Sequence, residues 1–296
     1  MDTQDKPIYK RAIFWILIAA LVVLAVVFVL VIRMSQGLRG KLFTPSAPVP
    51  ETSRFTVPTL PPPEENPYGA MDFGPDENGY LTCLTGESRL GIDVSYAQYL
   101  HQDHIDWQQV KDAGIEFVII KVAGRGYGEA GKLYFDDYWR RSYEGAKAAG
   151  LDVGAYFFSQ AITEEEAIEE ANYILAQLDG LPLDMPIVYD WEYIDPTTSD
   201  GIPRTHAMSK RLLTECTKAF CETIKAAGYE PMIYFNADQS RKKMYLEELT
   251  DYPFWLASYT TELNYPYKVD MWQYTATGSV PGIEGDVDLN LYLHYD

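Results

Sequence analysis

Apolar and polar positions follow three regimes along the chain. Residues 12–32, AIFWILIAALVVLAVVFVLVI, form one unbroken apolar run with no charged or amide side chain. That run meets the length of about 20 residues a helix needs to cross a bilayer. Residues 43–80 show no apolar period and hold nine of the 18 prolines, the composition of an extended spacer. From residue 87 onward, short apolar runs alternate with amphipathic stretches of helical period.

One junction recurs in that last part: KDAGIEFVII from Lys111, KAAGLDVGAY from Lys147 and KAAGYEPMIY from Lys225. Each places a Lys in a final helical turn, then a Gly suited to a left-handed cap, then a strand. LDGLPLDMPIVYD from Leu178 is a looser fourth copy. Helices that feed strands repeatedly are the signature of βα units. The pattern predicts strands near 89–95, 116–123, 152–159, 185–192, 230–237, 253–259, 268–275 and 286–293. Helices are predicted near 106–114, 134–149, 163–179, 205–227 and 238–249, the third opening on Thr163 and Glu166 at capping-box spacing. The expected fold is α/β, a modified (β/α) barrel with eight strands and about five helices. An open doubly wound sheet is disfavoured, because no Gly-rich phosphate loop follows the first strand. GRGYGEAG at 124–131 follows the second strand and lacks the Lys-Ser/Thr ending of a P-loop.

The domain reading is a cytoplasmic tail at 1–11, a transmembrane helix at 12–32, a Pro-rich extracellular linker at 33–86 and a barrel at 87–296. The apolar run is longer than the core of a cleaved signal peptide. Lys6, Lys10 and Arg11 precede it, and Arg33, Arg39 and Lys41 follow it, so flanking charge orients it weakly. The expected location is the cell membrane, single-pass, with the barrel outside. The formal charge is −19; the first 42 residues carry six Lys/Arg against two acids, leaving −23 on the rest. Such a surface suits neither nucleic acid nor anionic lipid. Cys83, Cys216 and Cys221 give no disulfide framework and no metal pattern.

Candidate chemistry concentrates in PIVYDWEYID at 186–195, where an apolar strand ends in Asp190 and Glu192. In a barrel, strand C-terminal ends form the active face. Alternation sends Asp190 and Glu192 the same way, into the mouth, and Trp191 the other way, into packing. Burying two like charges together is costly, so a purely structural role explains them poorly. An ionised Asp190 should raise the pKa of Glu192 and keep it protonated. Asp93 ends the first strand and Asp288 lies in the last, its neighbour in a closed barrel; Asp286 reads as a solvated turn residue. Tyr156, Phe158, Tyr234, Trp255, Tyr259, Trp272 and Tyr274 fall near strand ends. Aromatic faces beside carboxylates suit sugar rings, whose C–H faces are apolar. His101, His104, His206 and His294 are scattered, with HQDH in a loop context, and no nucleophile elbow is present. No metal or organic cofactor is expected.

GIDVS followed by IDW, FVIIKVAGRGYG, AGLDVGAYFFSQA, PIVYDWE, PMIYFN, FWLASY, MWQYT and VPGIEGDVDLN together resemble the glycoside hydrolase family 25 lysozymes, the N-acetylmuramidases. The resemblance runs from about Gly91 to Leu293 and departs at AGRGYG, where many members carry an acid. It implies a modified β/α barrel cleaving the β-1,4 bond from N-acetylmuramic acid to N-acetylglucosamine in peptidoglycan. It implies Glu192 as proton donor and Asp190 as the residue orienting a 2-acetamido group that acts as internal nucleophile. It matches Asp93 and Asp288 to further active-site acids, and Tyr156, Trp255 and Trp272 to groove positions. The partners implied are peptidoglycan glycan strands and, through the N-terminal run, a membrane. A non-catalytic wall-binding module and a membrane scaffold are the competing readings.

Overall fold

A computed structural model describes residues 60–197, 199 and 201–295. In chain order the elements are β1 (Phe73–Pro75), β2 (Leu81–Cys83), β3 (Ser88–Val94), α1 (Trp107–Asp112), β4 (Phe117–Arg125), β5 (Leu133–Phe135), α2 (Trp139–Ala148), β6 (Asp152–Ser159), α3 (Glu164–Leu178), β7 (Ile187–Trp191), α4 (Lys210–Ala226), β8 (Pro231–Asn236), α5 (Ala237–Lys243), β9 (Phe254–Ala257), β10 (Met271–Gly278) and β11 (Val287–Leu293). The transmembrane helix expected at 12–32 lies outside the described residues. Among the described residues, no helix is long and apolar enough to cross a membrane.

Eight strands close a barrel in the order β3-β4-β6-β7-β8-β9-β10-β11, with β11 pairing back onto β3. The Lys-x-x-Gly junctions form as the sequence predicts. Gly114, Gly150 and Gly228 follow α1, α2 and α4 with φ of 94°, 77° and 87°, values that glycine adopts without a Cβ penalty. Thr163 caps α3 by accepting the Glu166 amide, while the Glu166 carboxylate accepts the amide of Ile162.

Two apolar layers result from strand alternation. Phe117, Ile119, Val188, Met232, Trp255 and Met271 fill the barrel. Gly91 makes room for that filling, since a Cβ there would meet the Phe117 ring at 2.3 Å. Outward residues such as Ile120, Phe157, Tyr189 and Trp191 pack with Ile174, Leu213 and Phe220 of the helices.

The structure differs from the expected pattern in three places. The last strand, β11, runs antiparallel to both neighbours, so its first residues, not its last, reach the mouth. The start of the helix expected at 134–149 is instead the short strand β5, which pairs antiparallel with the end of β4. The stretch 60–86, expected as the end of a linker, packs on the barrel. The β1–β2 hairpin lies over the outside of β10, β11 and β3, and among the described residues no helix follows β9 or β10. Phe73 meets Trp272 edge-on at 5.1 Å, the Asn66 amide donates to the carbonyls of Leu263 and Tyr265, and Phe73, Leu81 and Cys83 join the outer core. Apolar residues interspersed among the prolines give this segment a face to bury.

Candidate active site

β7 places its acids by alternation. Trp191 is fully buried in the outer core, whereas Asp190 and Glu192 point into the mouth. Asp190 is 6% exposed and Glu192 partly exposed. β7 ends at Trp191, so the carbonyls of residues 191 and 192 leave the ladder; two buried amide side chains catch them. Gln239 Nε2 donates to the Trp191 carbonyl (3.1 Å) and Gln160 Nε2 to the Glu192 carbonyl (3.2 Å). Each glutamine is itself fixed: Gln160 Oε1 accepts the Thr205 hydroxyl and Gln239 Oε1 the Asn236 amide. Behind them, the buried Glu170 accepts from Arg125, Ser159 and the Gln160 backbone.

A second pair of acids faces the first. Asp93 and Asp288 stand directly opposite each other on β3 and β11. Asp93 Oδ2 accepts from Gln273 Nε2 and Asn290 Nδ2, both at 2.8 Å. Tyr234 and Tyr259 donate to Gln273 Oε1, and the Trp255 indole donates to Asn290 Oδ1. These donors fix both amides with their N–H groups toward Asp93. Asp93 therefore acts as acceptor, and Asp288 holds the proton between them.

Burial raises every acid of the site. Asp93 rises to about 6, restrained by its amide donors, and Asp288 to about 8, since it lies against Asp93. Asp190 and Glu192 hydrogen-bond each other and are both pushed up by burial, with Asp93 adding repulsion and Lys121 opposing it. The more deeply buried Asp190 takes the stronger push. The pair therefore retains a proton to higher pH than two free carboxyls would.

The four acids line a cavity of about 130 Å³ with Tyr156, Tyr234, Trp255, Tyr259 and Gln273. At about 30 Å³ per water, it takes one substituent or part of one ring, so a longer ligand must lie across the mouth. Tyr259 is 58% exposed and forms the rim. Phe158 shares the inward face of Tyr156 but stands outside the cavity, its ring 4.8 Å from the Lys121 ammonium. Trp272 and Tyr274 do not reach the site. In β10 the inward residues are Met271 and Gln273; Trp272 and Tyr274 face outward under the hairpin, with Trp272 Nε1 donating to the Ser258 carbonyl. Asp286 is exposed, as expected of a turn residue. Lys121, Gln273 and Asn290 are site residues that the sequence reading missed. His101 and His104 line a separate open cleft with Asp103 and Asp106. Among the described residues, no group of three or more His, Cys, Asp or Glu side chains is arranged for a metal ion.

Residues 92–283 match the model of glycosyl hydrolases family 25. The chain belongs to this family. It is 29% identical over 233 residues to lysozyme M1 of Streptomyces globisporus, covering 75% of this chain and 73% of that protein. It is 27% identical over 201 residues to the autolytic lysozyme of Clostridium acetobutylicum, covering 68% of this chain and 54% of the relative. Among solved structures, the bacterial lysozyme from Streptomyces coelicolor superposes with a TM-score of 0.53 at 28% identity, over 70% of this chain and 92% of that one. The modular autolysin LytC of Streptococcus pneumoniae, solved with a synthetic peptidoglycan ligand, shares the fold with a TM-score of 0.58 at 23% identity, over 70% of this chain and 47% of that one. The chain thus spans about half the length of the clostridial lysozyme and of the pneumococcal autolysin. Asp93, Asp190, Glu192, Gln273 and every cavity-lining aromatic fall within the family 25 match; Asp288 and Asn290 lie just beyond it.

Proposed function

We propose that the protein hydrolyses the β-1,4 bond between N-acetylmuramic acid and N-acetylglucosamine in peptidoglycan. The observation that carries this reading is the inward pair Asp190 and Glu192 sharing one small cavity at the barrel mouth. The aromatic lining and the names of the lysozyme relatives support it.

The reaction proposed for this site is substrate-assisted. A 2-acetamido group entering the cavity donates its N–H to Asp190, which favours the ionised carboxylate there and leaves the pair's proton on Glu192. Glu192 is the more accessible acid, and it gives that proton to the glycosidic oxygen. The acetamido oxygen attacks the anomeric carbon as the bond to the leaving sugar breaks, forming a cyclic oxazolinium whose positive charge Asp190 stabilises. Glu192, now ionised, takes a proton from water as its oxygen adds to the anomeric carbon and opens the ring. Asp93, held by Gln273 and Asn290, keeps a negative field below the developing cation.

Removing the proton donor tests this. Glu192→Gln should keep the fold and lower turnover of purified cell walls by at least about 10²-fold. Mass spectrometry of products from the unaltered protein should show new reducing-end muramic acid. Reducing-end glucosamine or freed peptides would redirect the assignment, and full activity in Glu192→Gln would sink it.

The location proposed is the outer face of a cell membrane, held by residues 12–32. Pro61, Pro62 and Pro63 lie beside Glu230, Asp251 and Pro253, which precede β8 and β9. The described unit thus begins at the edge opposite the mouth. Fractionation of cells should place the protein with the membrane and its barrel open to external protease; a soluble protein would refute the anchor.

A further inference from the structure

Lys121 projects into the mouth from β4, on the inward face it shares with Phe117 and Ile119. Its neighbour across the ladder is Tyr156, which lines the acid cavity. Three rings surround the ammonium: Phe158, Tyr134 and Tyr156, with centroids at 4.8, 5.7 and 5.9 Å. Gly124 admits the Tyr134 ring, since a Cβ there would come within 2.6 Å of the phenol oxygen.

The ammonium has three N–H donors, yet among the described residues none reaches a hydrogen-bond acceptor and no carboxylate lies within ion-pair distance. The acids that sense its charge have contacts of their own, although the buried Asp190 Oδ1 has no partner. Asp190 and Glu192 bond each other, and Asp136 accepts the amides of Tyr96 and Tyr138. Other cations on the neighbouring elements are tied to protein acceptors: Arg125 to Glu169 and Glu170, Arg204 to Glu166, and Lys243 to the Met208 carbonyl. The mouth is otherwise acid-rich and sits on a strongly negative chain, so an anionic ligand is repelled unless a cation meets it.

We propose that Lys121 is a specificity-determining residue whose ammonium binds a carboxylate on the muramic acid residue seated over Asp190 and Glu192. This rests on the muramidase reading above. The carboxylate comes from the lactyl ether of the sugar or from the peptide attached to it.

Three substrates separate these sources: peptide-free glycan strands with free lactyl carboxylates, the same strands with those groups converted to primary amides, and strands bearing stem peptides. For the lactyl source, the unaltered protein should lose about tenfold in kcat/KM on amidation, the size of one charge-assisted hydrogen bond. Lys121→Gln should cut the free-carboxylate strands by the same factor, mainly through KM, and respond little to amidation. Lys121→Arg should retain the preference. A Lys121-dependent preference confined to peptide-bearing strands places the carboxylate on the stem. Equal losses for Lys121→Gln on all three substrates, or a shifted pH profile alone, would overturn the proposal, since Lys121 would then act through the acid pair. Calorimetric binding of the same strands to Glu192→Gln, with and without Lys121→Gln, reads the preference without turnover. That result stands apart from any failure of the muramidase reading.

Discussion

Asp288 holds a proton that an exposed aspartate would release several pH units lower. Its pKa in the folded chain, about 8, lies above the ordinary value, as does that of Asp93 at about 6. The native state therefore binds protons more tightly than the unfolded chain. The stability this gives is fully present below the ordinary aspartate range near 4 and is lost progressively as pH rises from there through 8. Asp288→Asn keeps a donor toward Asp93 and removes one titrating group. Its unfolding free energy should fall less steeply between pH 6 and 8, by up to about 1.4 kcal/mol per pH unit. Urea melts of both proteins at each pH measure this, and identical slopes would refute the shared proton. The acids themselves were legible in the sequence, because strand alternation and the barrel's active edge constrain where carboxylates end up. Trp272 and Tyr274 were misplaced because both faces of β10 carry bulky residues, so alternation groups them without saying which face is inside. Gln273, Asn290 and Lys121 were not legible, since an amide or ammonium takes its role from cross-strand neighbours that the sequence does not name.

At the scale of elements, the end of β7 depends on groups from β6 and α5. The Glu192 carboxyl can be placed only as well as its backbone, and that backbone hangs on Gln160 once the ladder has ended. On the proposed mechanism, with Glu192 as proton donor, Gln160→Ala should lower kcat about tenfold, because sub-ångström misplacement of such a group costs rate more than binding. KM should change little, and stability should fall by about 1–3 kcal/mol for the lost buried hydrogen bonds. Steady-state kinetics beside a urea melt distinguish this from a general loss of folded protein, which would lower the active fraction and leave the per-site kcat unchanged. The helix-to-strand junctions around this site could be read directly, since a Gly with positive φ and a Lys in the last turn are local signals. The reversed direction of β11 could not be read, because a short apolar run looks the same in either sense and only pairing decides it.

On the side where no helix follows β10, a segment that precedes the barrel covers its outer face. A regular (β/α) barrel would cover β9 and β10 with helices; here β10 is covered by Phe73, Leu81 and Cys83, with Tyr68 packed against Phe73 and Tyr295. Proline content hid this role, because composition reports what a segment cannot form and says nothing about which of its apolar residues find a partner. The consequence concerns where the folding unit begins. A chain starting at residue 60 retains the hairpin and should unfold in one cooperative transition. A chain starting at residue 87 uncovers Trp272 and loses the buried Phe73 and Leu81. Each large side chain contributes about 1.5–3 kcal/mol on burial, so the loss is on the order of 5 kcal/mol, comparable with the whole stability of a marginal domain. Residues 87–296 should therefore be aggregation-prone or melt far below residues 60–296, with tryptophan emission shifted to the red by the exposed Trp272. Equal melting temperatures and equal emission for the two chains would show that the hairpin rests on the barrel without holding it.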